Sequence, residues 1–167
     1  MTPGFPIDVH ISEPGWAELL DAPEAFVARA VGAAVAVLDA PPGGELSVAL
    51  VSDWEIAELN ARFRHKDGPT NVLSFPSGDS APVQGGVQGD VVVALQTLLR
   101  EAGTRGIPAT DHAAHLLVHG FLHLHGYDHM VAADARVMED AERAALSSLD
   151  VPDPYISRQP SRARPRP

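Results

Sequence analysis

Strand-like and helix-like segments are mixed along the whole chain, which predicts an α+β or mixed α/β fold in one domain. Three observations carry that expectation. The chain has 167 residues, the size of a single domain. Its composition, 45% hydrophobic and 20% charged, is that of an ordinary globular protein. Apolar residues repeat with period two in some windows and near 3.6 in others, with Gly- and Pro-rich breaks between. A domain of this size buries roughly 70% of its unfolded surface, so it needs no cross-links to fold.

Ile7–Ile11 (IDVHI) alternates and reads as a short strand. Pro23 to Ala40 is Ala/Val-rich and reads as a helix, bounded by Pro-Pro-Gly-Gly at 41–44. Leu46–Val51 is a second strand. Ser52 then caps the helix DWEIAELNARF, with Glu55 as its capping-box partner. Within it Ile56, Leu59 and Phe63 stand at helical spacing. Asn71–Phe75 (NVLSF) is a third strand, ended by Pro76. Residues 77–89 hold four Gly and one Pro and read as a flexible loop. Val91–Ala94 is the fourth strand, and a short helix follows around Leu95–Glu101. Thr110 is expected to cap a helix running to about Leu124 or His125, where Gly126 stops it. Ala132–Leu149 is a last amphipathic helix. Five prolines fall in the sixteen residues from Pro152, so a domain over 1–156 and a disordered Arg/Pro-rich tail over 157–167 are expected. No internal repeat, GxGxxG or P-loop occurs.

The chain has no cysteine, which removes disulfides and thiolate metal ligands and fits a cytoplasmic protein. Its start shows no cationic and apolar leader pattern, and no run reaches the ~18 apolar residues of a membrane span. Net charge is −10, unevenly spread. Arg158, Arg162, Arg164 and Arg166 against Asp153 give residues 152–167 a balance of +3, leaving −13 for the rest. An acidic body argues against indiscriminate nucleic-acid binding. A local basic site is still compatible with it, because charges are screened over ~8 Å at physiological salt.

Residues 119–129 read HGFLHLHGYDH, with histidines at 119, 123, 125 and 129. His119 and His123, four apart, share one helical face. Gly126 lets the chain turn so that His129 returns from outside the helix. Three imidazoles with an open fourth position describe a catalytic zinc site. The spacing H-x3-H-x5-H matches the metzincin motif H-E-x-x-H-x-x-G-x-x-H, except that Gly120 stands where that motif carries its general-base Glu. This points to a similar metal geometry with different chemistry. His125, two residues from His123, points elsewhere and is expected to be a bystander. His115 shares the face of His119 and is a candidate rival ligand or supporting partner, although a purely structural role is the simpler expectation. Asp128 either orients a ligand imidazole or caps the following helix.

The second informative stretch is RFRHKDGPTNVLSFP (62–76), which packs Arg62, Arg64 and Lys66 into five positions. Alone it reads as a solvated helix end whose cations suit the C-terminal dipole. Taken together, LNARFRHKDGPTNVLSFP, GDVVVA (89–94), HLLVHGFLHLHGYDH (115–129) and DPY (153–155) strongly resemble the YbeY family of ribosomal RNA maturation factors. The resemblance runs in order from about residue 46 to 155. It implies an α+β fold with a small mixed sheet of about four strands, helices packed on it and the metal-binding helix across one face. It also implies metal-dependent endoribonuclease activity on single-stranded RNA, in 3′-end maturation of small-subunit ribosomal RNA and in ribosome quality control. The family's zinc-binding histidines map onto His119, His123 and His129, and its functional arginine onto Arg64, within the pattern formed by Asn60, Phe63 and Arg64. Arg62 and Lys66 are candidate RNA-backbone contacts. One zinc ion is the expected cofactor, although nickel and copper also take nitrogen ligands. Expected partners are ribosomal RNA and ribosomes or pre-ribosomal particles, with a ribosome-associated GTPase or ribosomal protein as further candidates, and no membrane.

A zinc ion held by three neutral imidazoles keeps its +2 charge and can activate water or polarise a phosphoryl oxygen. Arg64 would then clamp the phosphate. Two rival readings remain at this level: a small metzincin-like metalloprotease, and a non-catalytic ribosome assembly factor whose metal is structural.

Overall fold

The structure is a computed structural model that describes residues 3–76 and 87–156. The expected tail at 157–167 and most of the expected 77–89 loop lie outside the described residues. The elements in order are β1 (Ile7–Ile11), α1 (Gly15–Leu19), α2 (Pro23–Val35), β2 (Glu45–Val51), α3 (Asp53–Arg64), β3 (Val72–Pro76), β4 (Val87–Ala94), α4 (Leu95–Arg105), α5 (Ala109–Leu124) and α6 (Ala132–Ser147). The four strands form one mixed sheet in the order β1-β2-β4-β3. β1 and β4 both run parallel to β2, and β3 pairs antiparallel with β4. The α+β class with a small mixed sheet therefore holds.

Strand alternation assigns side chains to two cores. Val91 and Val93 of β4 join Leu46, Val48 and Leu50 of β2 in the main core, together with residues of α2, α5 and α6. Val92 and Ala94 point the other way and meet Leu73, Val51 and Ile56, with Phe75 and Leu59 packed alongside. Both sheet faces are thus covered, which is why VVVA reads as a continuous apolar run.

α5 is buried on nearly every side. Ala113, Ala114, Leu116, Leu117, Val118, Gly120, Phe121, Leu122 and Leu124 are all buried. Only His115, His119 and His123, spaced by one turn, open part of the helix's surface beyond its first turn. The helix packs against β3 and β4, and Gly120 faces the sheet at close range. A Cβ there would sit 2.8 Å from Val91 Cγ1 and 3.0 Å from Val72 Cγ2. The Ser74 hydroxyl donates to the Gly120 carbonyl at 2.7 Å across the same contact. A glutamate at this position would therefore meet the sheet, so Gly120 has a packing role as well as a chemical meaning.

The helix ends as expected, and its hydrogen bonds explain how. Gly126 has φ +96°, its N–H bonds the His123 carbonyl, and the Tyr127 N–H reaches back to Leu122. These paired bonds are a Schellman stop. Its start differs from expectation: Pro108 is the N-cap, no side chain caps the helix, and Thr110 lies inside the first turn. The Pro108 carbonyl accepts the first helical bond from His112, so the N-cap position falls two residues before Thr110 and the first turn has no side-chain cap. α2 stops at Val35, five residues before Ala40, because Val37 and Leu38 close tight turns onto Ala34 and Val35 instead. α4 runs past Glu101 to Arg105, until Gly106 takes the left-handed conformation. The short α1 was not expected; it buries Trp16, whose indole N–H donates to the Val51 carbonyl at 3.0 Å. The capping box of Ser52 and Glu55 forms as expected.

Gly120→Ala is expected to destabilise the protein by about 1–3 kcal/mol through overpacking. Urea unfolding measures this, and an unchanged midpoint would mean that α5 can shift off the sheet without penalty.

Candidate metal centre

α5 presents His119 and His123 one turn apart, and the Gly126 turn brings His129 back beside them. Ring centroids are 5.5 Å apart for His119–His123, 5.6 Å for His119–His129 and 5.2 Å for His123–His129. One nitrogen from each ring falls within 4.8 Å of the other two, close enough for all three to hold a single ion. Burial, then the nearness of His119 and His129, lowers the His123 pKa, which favours the neutral imidazole that a metal requires. The donor set fits a divalent ion such as zinc.

Behind His119 lies Glu142 of α6, fully buried. One carboxylate oxygen accepts from His119 Nδ1 at 2.5 Å and the other from His115 Nε2 at 2.9 Å. Burial alone would raise this carboxyl's pKa, but the hydrogen bonds and proximity of His115 and His119 outweigh it and hold it at about 2. Glu142 is thus a carboxylate, and it accepts a hydrogen bond from His119 Nδ1–H, whose proton stays on the imidazole. The Nε2 lone pair is left for a metal, the arrangement by which outer partners fix a ligand's tautomer. Glu142, His115 and His119 are themselves close enough to hold an ion. However, both Glu142 oxygens are already occupied by imidazole donors, so the outer cluster of three histidines is the better site.

Asp128 does not cap α6, whose N-cap is Val131 with no side-chain bond. Its carboxylate instead accepts from the His129 backbone N–H at 2.7 Å, positioning that residue through the main chain rather than the ring. His125 turns away and bonds Gln88 at 2.7 Å.

Arg64 ends α3 and is exposed. It lines the same cleft, of about 480 Å³, as His119, His123 and His129, together with Thr70, Asn71, Val72 and Ser74. Asn60 helps to set this end of the helix: its side chain donates to the Gly68 carbonyl at 3.0 Å, and its own carbonyl accepts from Lys66 N–H at 3.2 Å. Arg62 and Lys66 are exposed but do not line the cleft; the Arg62 guanidinium sits 5.7 Å from the Phe63 ring centroid. The structure thus brings Arg64 to the three histidines and leaves the other two cations outside.

Glu142 is the residue that sequence reasoning missed. A signal was available: Glu142 lies on the apolar stripe of α6 with Met138, Ala145 and Leu146, an acidic residue where periodicity calls for an apolar one.

The family model for the endoribonuclease YbeY matches residues 17–150. The chain belongs to the YbeY endoribonuclease family. Among similar proteins, an endoribonuclease YbeY of Rhodopseudomonas palustris (strain ATCC BAA-98 / CGA009) is 52% identical, over 79% of this chain and 72% of its own. The family member from Chelativorans sp. (strain BNC1) is 46% identical, over 92% of this chain and 95% of its own. Another, from Cereibacter sphaeroides, is 45% identical, over 90% and 99%. In fold the chain is similar to the solution structure of TM1509 from Thermotoga maritima, with a TM-score of 0.54 at 24% identity, covering 90% of this chain and 99% of that one.

Glu142→Gln is expected to weaken zinc affinity about 10- to 100-fold while leaving the three outer histidines in place. Competition against a chromogenic chelator reads the change; wild-type affinity would remove Glu142 from the support of the site.

Proposed function

We propose that the chain is a metal-dependent endoribonuclease that cleaves single-stranded RNA, with His119, His123 and His129 holding one zinc ion and Arg64 binding the scissile phosphate. The observation that carries this reading is the shared cleft: three imidazoles able to hold one ion and a guanidinium line the same cavity in a member of an endoribonuclease family. When bound, a divalent ion supplies Lewis-acid charge and activates water. The chain's own residues do the rest. Arg64 offers a planar fork of donors suited to phosphate oxygens and to the charge that develops on them. Glu142 keeps the Nδ1 proton of His119 in place. Ser74 and Asn71 add polar groups to the cleft wall.

The protease alternative is disfavoured by packing. The position that would carry its catalytic Glu faces Val91 and Val72 of the sheet. Arg62 and Lys66, outside the cleft, are candidates for contacts farther along the RNA backbone. The intended substrate is ribosomal RNA at the 3′ end of the small-subunit transcript, met on ribosomal or pre-ribosomal particles. The net charge of −10 supports an assembled target over bulk RNA. A cytoplasmic location is part of the same reading, and among the described residues no helix is long and apolar enough to cross a membrane.

His119→Ala is expected to lose bound metal and RNA cleavage together. Arg64→Ala should keep its metal, by elemental analysis, yet cleave a single-stranded RNA on the order of 10²-fold more slowly. An unchanged rate in that variant would exclude Arg64 from the reaction. Chelation should abolish cleavage and added zinc restore it. If metal-loaded protein cuts no RNA but co-sediments with ribosomes, the metal is structural and the chain is an assembly factor.

A further inference from the structure

The segment Asp153–Tyr155 lies past the end of α6 and beyond the residues matched by the family model. It is nevertheless tied down at every residue. Asp153 accepts from Arg143 Nε at 2.8 Å through one oxygen and from the Tyr155 backbone N–H at 2.8 Å through the other. The Pro154 carbonyl accepts from Arg105 of α4 at 2.8 Å. The Tyr155 ring stands edge-on to His115, with centroids 5.6 Å apart, and the Arg143 guanidinium lies 5.4 Å from its centroid. Its hydroxyl donates to Glu142, on the same oxygen that His115 engages.

That hydroxyl completes a chain of contacts. Tyr155 and His115 hold one Glu142 oxygen, and the other oxygen meets His119 Nδ1. A carboxylate held at one oxygen by two donors cannot rotate freely, so its second oxygen stays aimed at His119. Burial and the neighbouring Glu142 carboxylate push the Tyr155 phenol pKa well up, so the hydroxyl remains a donor.

We propose that Tyr155 is a positioning residue for the metal centre: the Asp153–Tyr155 segment is a latch that holds Glu142, and through it the ligating tautomer of His119. The idea rests on the assignment of His119 as a ligand, but its test involves no RNA, so it stands or falls separately from the proposed nuclease activity.

Tyr155→Phe keeps the ring and removes only the hydroxyl. In the full-length protein, zinc affinity measured by chelator competition is expected to fall about tenfold. In the metal-free variant, a long-range ¹H–¹⁵N spectrum of the histidine rings should show His119 shifting from one Nδ1–H tautomer to a mixture. In the Glu142→Gln background the same change should cost less than about twofold, because the two residues act as one unit. Unchanged zinc affinity in Tyr155→Phe overturns the proposal, even if the melting temperature drops. An unchanged His119 tautomer overturns it too, as does a full tenfold loss in the Glu142→Gln background.

Discussion

The structure depends on how closely α5 lies on the sheet. A helix buried on nearly all sides must find room for its backbone, and Gly120 provides it against Val91 and Val72. With the apolar side chains of α5 committed to the core, His119 and His123 are what its exposed stripe offers to the cleft, while His115 faces Glu142 behind them. The candidate metal-binding face follows from this packing, since imidazoles stand where the core ends. The same contact means that a glutamate at position 120 would crowd Val91 and Val72 of the sheet.

A buried carboxylate is costly unless its lone pairs are occupied. Glu142 meets that condition with donors from three places: two histidines of α5 and the hydroxyl of Tyr155. One polar group thereby ties α5, α6 and the segment after α6 into one unit behind the cleft. On the other side, Arg64 arrives from α3, which packs on the opposite sheet face. The edge strand β3 lies between the two contributions, and its Val72 and Ser74 form part of the wall they share. Rigid elements on both faces thus converge on one cavity, which suits a site needing fixed geometry.

Much of this was legible in sequence, because the signals were local. The strands and the long helices follow from short-range periodicity, and the Ser52–Glu55 capping box and the Gly126 stop follow from single residues with one physical use. Errors fell where local chemistry was ambiguous. Thr110 is a good cap by residue type, but the helix starts ahead of it, with Pro108 at the N-cap position. The Ala/Val-rich run after Val35 has helical composition yet closes into tight turns. α1 is too short to show a period, and only the burial of Trp16 explains it.

The sequence by itself determined the element types, the mixed class and the grouping of His119, His123 and His129, because helical spacing and one turn-forming glycine are properties of neighbouring residues. Only the tertiary structure decided the rest. It separated Arg64 from Arg62 and Lys66, made Asp128 a backbone partner of His129, and placed Glu142 and Tyr155 behind His119. Those relations join residues far apart in the chain, from Arg64 at the end of α3 to His129 after α5. They depend on which buried polar groups meet across packed elements, and no local pattern encodes that meeting.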